Sequence, residues 1–95
     1  MAVCRTLKYK IRRENGNEAE RMLWAFLRSI RMVEPGTDYR AYMHEDGQTY
    51  THVASFIDSE AEFQHRTAPY TQKFRDSIMP LCEWGPQAEN VTAVG

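Results

Sequence analysis

Histidines stand at 44, 52 and 65, and an imidazole is the side chain most able to move a proton near neutral pH. His52 falls on the Tyr50-His52-Ala54-Phe56 face of an alternating run. If that face meets the helices, His52 enters the interior, where a neutral ring can take a phenolic proton or hydrogen-bond a substrate oxygen. The same placement suits a structural histidine, or one at a dimer seam. His65 ends a helical run. There it contacts a ligand, or it meets the helix dipole and caps free carbonyls without any catalytic part. His44 adjoins the Glu45-Asp46-Gly47 turn and reads as a solvated strand end. No H-x-x-x-H pair occurs on one helix, so a metal site is not expected.

Tyr9, Tyr39, Phe56 and Phe74 can line an aromatic pocket that binds substrate, although aromatics at such spacings also build ordinary cores. Trp24, off the main helical stripe, and Trp84, in Cys82-Glu83-Trp84-Gly85, suit packing or a dimer contact. Lys8, Lys10, Arg12 and Arg13 form a local basic run. Twelve basic side chains are nevertheless balanced by 13 acidic ones, for a net charge of −1. Neither a nucleic-acid nor a membrane-surface partner is expected. Cys4 and Cys82 have no C-x-x-C spacing, and Met1 to Arg5 lacks the apolar core of a secretory signal. Reduced thiols and a cytoplasmic location are the expectation.

These residues need elements to position them. Val3 to Arg12 alternates, with Val3, Leu7, Tyr9 and Ile11 on one face, which predicts a strand. Asn17-x-x-Glu20 then reads as a capping box. Ala19, Leu23, Phe26, Leu27 and Ile30 follow as one apolar helical stripe, stopped at Glu34-Pro35-Gly36. Thr37 to His44 and Thr49 to Ile57 read as a hairpin. A second capping box, Ser59-x-x-Glu62, opens a helix that breaks near Thr67-Ala68-Pro69, and Tyr70, Phe74 and Ile78 continue it. Pro80 and Gly85-Pro86 close this region, leaving Asn90 to Val94 as a short last strand. The order is a split βαβ within one domain, residues 1–95, with no internal repeat: an α+β, ferredoxin-like fold with a four-stranded antiparallel sheet. RNA-recognition modules share this order. Strand three, Tyr50 to Ile57, lacks their glycine-aromatic motif, which disfavours RNA.

Glu34-Pro35-Gly36, the run Phe56-Ile57-Asp58-Ser59-Glu60-Ala61, His65 four residues on, and Ala68-Pro69-Tyr70 together resemble the dimeric α+β barrel superfamily, and more closely its antibiotic-biosynthesis monooxygenase branch. The resemblance spans nearly the whole chain in topology. It implies a homodimer with the sheets facing each other and a small cavity between sheet and helices in each subunit. It also implies oxidation of a phenolic or quinol compound by molecular oxygen with no metal or flavin cofactor. Where many members carry Glu-x-Trp, this chain has Ala54-Ser55-Phe56. The position of the helix-three histidine in haem-degrading cousins holds Phe74, which points away from haem. Two function classes follow. One is a cofactor-independent monooxygenase with His52 as base or hydrogen-bond partner of the substrate oxygen and His65 as a second candidate. The other is a non-catalytic dimer binding a small hydrophobic ligand or a partner protein. An isomerase or lyase on the same scaffold is a third.

Overall fold

Alternation sets the first strand, β1, at Val3–Ile11, and the computed structural model describes residues 2–95. A 3₁₀ turn at Arg13–Asn15 leads into α1, Gly16–Val33. The hairpin follows as β2, Asp38–Met43, and β3, Thr49–Phe56. Then come α2, Ser59–Thr67, and α3, Pro69–Ile78. A 3₁₀ turn at Met79–Leu81 delivers the chain to β4, Cys82–Val91. The sheet is antiparallel throughout, in the order β2-β3-β1-β4. Among the described residues no helix is long and apolar enough to cross a membrane.

The core forms where the apolar stripe of α1 meets the inner face of the sheet. Tyr9 and Ile11 of β1 share one cluster with Ala19, Leu23, Phe26, Leu27 and Ile30 of α1, as their spacings predict. Phe74 and Ile78 join from α3. Each large apolar side chain buried in this way contributes about 1.5–3 kcal/mol. The hairpin turn is held by Asp46, whose Oδ1 accepts from the backbone N–H groups of Gln48 and Thr49, both at 2.8 Å. Gly47 takes the positive φ of 71° that closes it.

Three local expectations are corrected. Asn17 lies inside α1 and caps nothing; the preceding 3₁₀ turn shifts the helix start, and the N-cap residue is Asn15, without a side-chain cap bond. In α2 the cap is Asp58, one residue before Ser59, with Oδ1 accepting from Ala61 N at 2.8 Å. A carboxylate at this place also meets the positive end of the helix dipole. The final strand begins at Cys82, eight residues before Asn90, and takes in Trp84 and the Gly85-Pro86 pair.

Gly85-Pro86 misleads because it sits at a bulge on an edge strand, where proline is tolerated. Lys8 pairs with Gln87 while Lys10 pairs with Trp84, so β4 carries one extra residue there. Gly85 has φ of 86°, and a Cβ on it would lie 2.8 Å from the Lys8 carbonyl oxygen. Only glycine fits that approach. The expected break in the second helical region is present, with Ala68 extended at ψ 144° and Pro69 starting α3.

Candidate active site

A cavity of about 40 Å³ opens between the sheet and α2–α3, a space of one or two waters. Its inner wall holds Phe26, Tyr39, His52, Phe56, His65 and Phe74. Of the site residues expected from sequence, only Tyr9 is absent from this wall; it stands behind His52. Alternation along β3 aims His52 and Phe56 inward. β2 supplies Tyr39, α2 supplies His65, and α3 supplies Phe74. Phe26 and Phe74 stack with centroids 4.4 Å apart and planes within 8°.

His52 is 1% exposed and both of its ring nitrogens are occupied. The Tyr9 hydroxyl lies 2.8 Å from Nε2, and the Tyr39 hydroxyl 2.8 Å from Nδ1. A neutral imidazole offers one donor and one acceptor, so one tyrosine gives a proton to the ring and the other accepts one from it. Burial, with a smaller contribution from the nearby His65, pushes the His52 pKa down to about 3. Burial likewise holds both tyrosine hydroxyls protonated well above their usual range; in Tyr39 the charge of Glu34 adds to it. The trio is neutral and closed.

His65 is arranged differently. Its Nδ1 lies 2.7 Å from Oε2 of Glu34, and Nε2 makes no hydrogen bond among the described residues. Glu34 follows the last turn of α1, where Pro35 and Gly36 swing the chain away. Its carboxylate also accepts from the Tyr70 hydroxyl through Oε2 and from Thr37 Oγ1 through Oε1, the latter at 3.0 Å. Burial, then the hydrogen bond to Glu34 and its charge, raise the Tyr70 pKa well above the ordinary phenol value. With Nδ1–H donating to the carboxylate, Nε2 carries the lone pair. An oriented imidazole with a carboxylate behind it can accept a proton and be stabilised as the cation.

Sequence reasoning gave no site role to Glu34, read as a helix stop and part of a resembling motif, or to Tyr70, read as a helical position after the break. A carboxylate beside a Pro-Gly exit was the available signal. It also gave no role to Thr71, whose buried Oγ1 has no partner among the described residues, or to Arg5, Arg66 and Arg75, all on the cavity wall. His44 is exposed, with Nε2 2.7 Å from Thr51 Oγ1, as a solvated strand end should be. Among the described residues no group of three or more His, Cys, Asp or Glu side chains is placed to hold a metal ion.

No protein-family model matches the chain, and no curated protein does. Solved structures do. Rv0793 from Mycobacterium tuberculosis superposes with a TM-score of 0.88 at 18% identity, covering 100% of this chain and 97% of that one. The chain has their fold. A protein described as an antibiotic biosynthesis monooxygenase gives a TM-score of 0.86 at 13% identity, with 100% of both chains covered. A point mutant of SnoaB from Streptomyces nogalater, described as a cofactor-independent oxygenase, gives 0.81 at 14% identity, covering 99% and 94%. The ferredoxin-like α+β architecture expected from the segment order is therefore shared with antibiotic biosynthesis monooxygenase-like proteins. Likeness at these identities carries architecture, and activity has to be argued from the site.

Proposed function

We propose that this chain is a cofactor-independent oxygenase of a small phenolic or quinol compound, with His65 as the general base. The observation that carries this reading is the Glu34–His65 pair at 2.7 Å, with Nε2 unpartnered among the described residues and His65 on the wall of a cavity that Phe26, Tyr39, Phe56 and Phe74 also line. The substrate's hydroxyl gives its proton to Nε2, and Glu34 stabilises the imidazolium. The resulting anion is rich enough in electrons to reduce oxygen itself. One oxygen atom enters the ring system in place of two hydrogens, and the other leaves as water. Dry aromatic walls keep competing water from the anion. The SnoaB likeness in fold supports the reaction class. His52, with both nitrogens engaged, holds Tyr9 and Tyr39 in place, and Tyr39 presents the trio to the substrate. Oxygen uptake with phenols, hydroquinones and anthrones tests the proposal. Uptake no greater than that of a His65→Ala control overturns it.

A second reading is favoured by Ala54-Ser55-Phe56, which brings neither carboxylate nor indole: a binding dimer without chemistry. Ligand binding with no oxygen uptake would select it. Both readings include a homodimer through the sheet face that carries no helices. Val53 and Val91 lie there, 41% and 39% exposed, with Tyr42 and Trp84 near the margins. Covering them is worth about 25 cal/mol per Å². Light scattering decides the assembly, and a mass near that of one 11.1 kDa chain removes it.

A further inference from the structure

Three arginines, Arg5, Arg66 and Arg75, line the cavity, and among the described residues no Asp or Glu does. The chain as a whole has a net charge of −1, so this concentration of positive charge is local. Two of the three are partly engaged. Glu62, 8% exposed, accepts from Arg66 Nε at 3.0 Å and lies 3.6 Å from Arg5 Nη1. Arg5 Nη1 also donates to Asn90 Oδ1 at 3.1 Å. Arg75 has no carboxylate partner among the described residues. It stands one helical turn after Thr71 on α3, so the two side chains share a face. Thr71 is 7% exposed and its buried Oγ1 has no hydrogen-bond partner among the described residues. An unsatisfied buried hydroxyl is costly in a protein interior. Here it lies on the wall of a cavity, beside an uncommitted guanidinium and across from stacked aromatic rings.

Building on the oxygenase reading of this site, we infer that the cavity takes an aromatic compound bearing its own carboxylate. The ring packs against Phe26, Phe56 and Phe74, and the carboxylate is held where Arg5, Arg66 and Arg75 meet solvent. The planar fork of a guanidinium matches a carboxylate with two parallel bonds. Glu62 holds Arg5 and Arg66 beside each other while leaving most of their donors free. Arg75 is the dominant contact, because it gives up no existing partner on binding. Thr71 Oγ1 supplies a hydrogen bond to an oxygen of the ligand inside the charged rim. The rim side chains are also the ones that can move to admit a ring, since Arg5 and Arg66 are 23% and 40% exposed.

Titration calorimetry without oxygen, using 2,5-dihydroxybenzoate and its methyl ester, tests the inference apart from any chemistry. The acid is expected to bind roughly tenfold to a hundredfold more tightly than the ester. Arg75→Gln is expected to abolish that preference while leaving ester affinity within about a factor of two. Arg75→Lys, which keeps the charge without the fork, should fall between. An ester bound as tightly as the acid overturns the inference, as does a preference that survives Arg75→Gln, or binding of neither compound at millimolar concentration. If the preference is found but oxygen is never consumed, the oxygenase reading fails and the carboxylate site stands. If the preference is absent while oxygen is consumed with ester and acid alike, the reverse holds.

Discussion

His52 and His65 face the same cavity from opposite layers, one from the sheet and one from a helix, and their hydrogen bonding differs in kind. His52 has a partner on each nitrogen, both of them tyrosines that burial keeps protonated. Among the described residues His65 has one partner, a carboxylate, and an unpartnered second nitrogen. A ring satisfied on both sides fixes its neighbours and resists taking another proton. A ring satisfied on one side is oriented and still able to react. Sequence spacing favours His52 as the base; the hydrogen-bond partners favour His65 instead.

The largest effect expected from breaking this contrast is on turnover. His65→Ala should lower oxygen uptake by about 10²–10⁴-fold, the usual contribution of a general base. Glu34→Gln should lose a smaller part of the same rate, because the ring stays oriented while the charge behind it is removed. An unchanged rate in both would move the base elsewhere. His52→Ala should act on stability instead, costing about 3 kcal/mol through a cavity and two buried hydroxyls left without their ring partner. Urea denaturation measures that loss. A cost below about 1 kcal/mol would mean the tyrosines find other partners.

The pH dependence of stability sharpens the comparison further. His52 titrates at about 3 in the folded chain, against about 6.5 when unfolded. As pH falls, the unfolded chain takes up this proton first. The contribution of neutral His52 is therefore complete above about 6.5 and declines toward about 3, by about 1.4 kcal/mol per pH unit. In His52→Gln that part of the slope should vanish. Equal slopes in the two proteins would place the His52 ring in contact with water. The smallest effect belongs to Thr71→Val, which removes the unpartnered hydroxyl. It should stabilise the free protein by about 1 kcal/mol in thermal melts, and a destabilised variant would show that Oγ1 has a partner in solution.

Much of the architecture was legible because periodicity reports it directly. Alternation gave β1 and the hairpin, helical spacing gave α1, and Pro69 gave the break between α2 and α3. Strand β4 was largely hidden, since Gly85-Pro86 is the usual mark of a loop and here marks a bulge. Both helix caps were misplaced by a residue or two, the scale at which neighbouring polar residues compete for one role. For the site, each expected aromatic and histidine on the cavity wall was already in the alternating or helical pattern. Arg5 was in phase with Val3 and Leu7 and was passed over, because apolar patterning counts only apolar residues. Glu34 and His65 are 31 residues apart in the chain, and no local pattern reports a contact across that distance.

The extended residue at Ala68 has a further consequence, one of angular phase. His65 and Phe74 are nine positions apart, and nine residues of unbroken helix make about two and a half turns. On a continuous helix the two would point in opposite directions, and only one could reach the sheet. The break at Ala68 resets the rotation, so that α2 contributes His65 to the wall that α3 completes with Thr71, Phe74 and Arg75. One non-helical residue thus works as a clutch between two short gears. Inserting or deleting a residue there would turn α3 by about a quarter of a circle or more, leaving the sheet intact and the cavity without one of its walls.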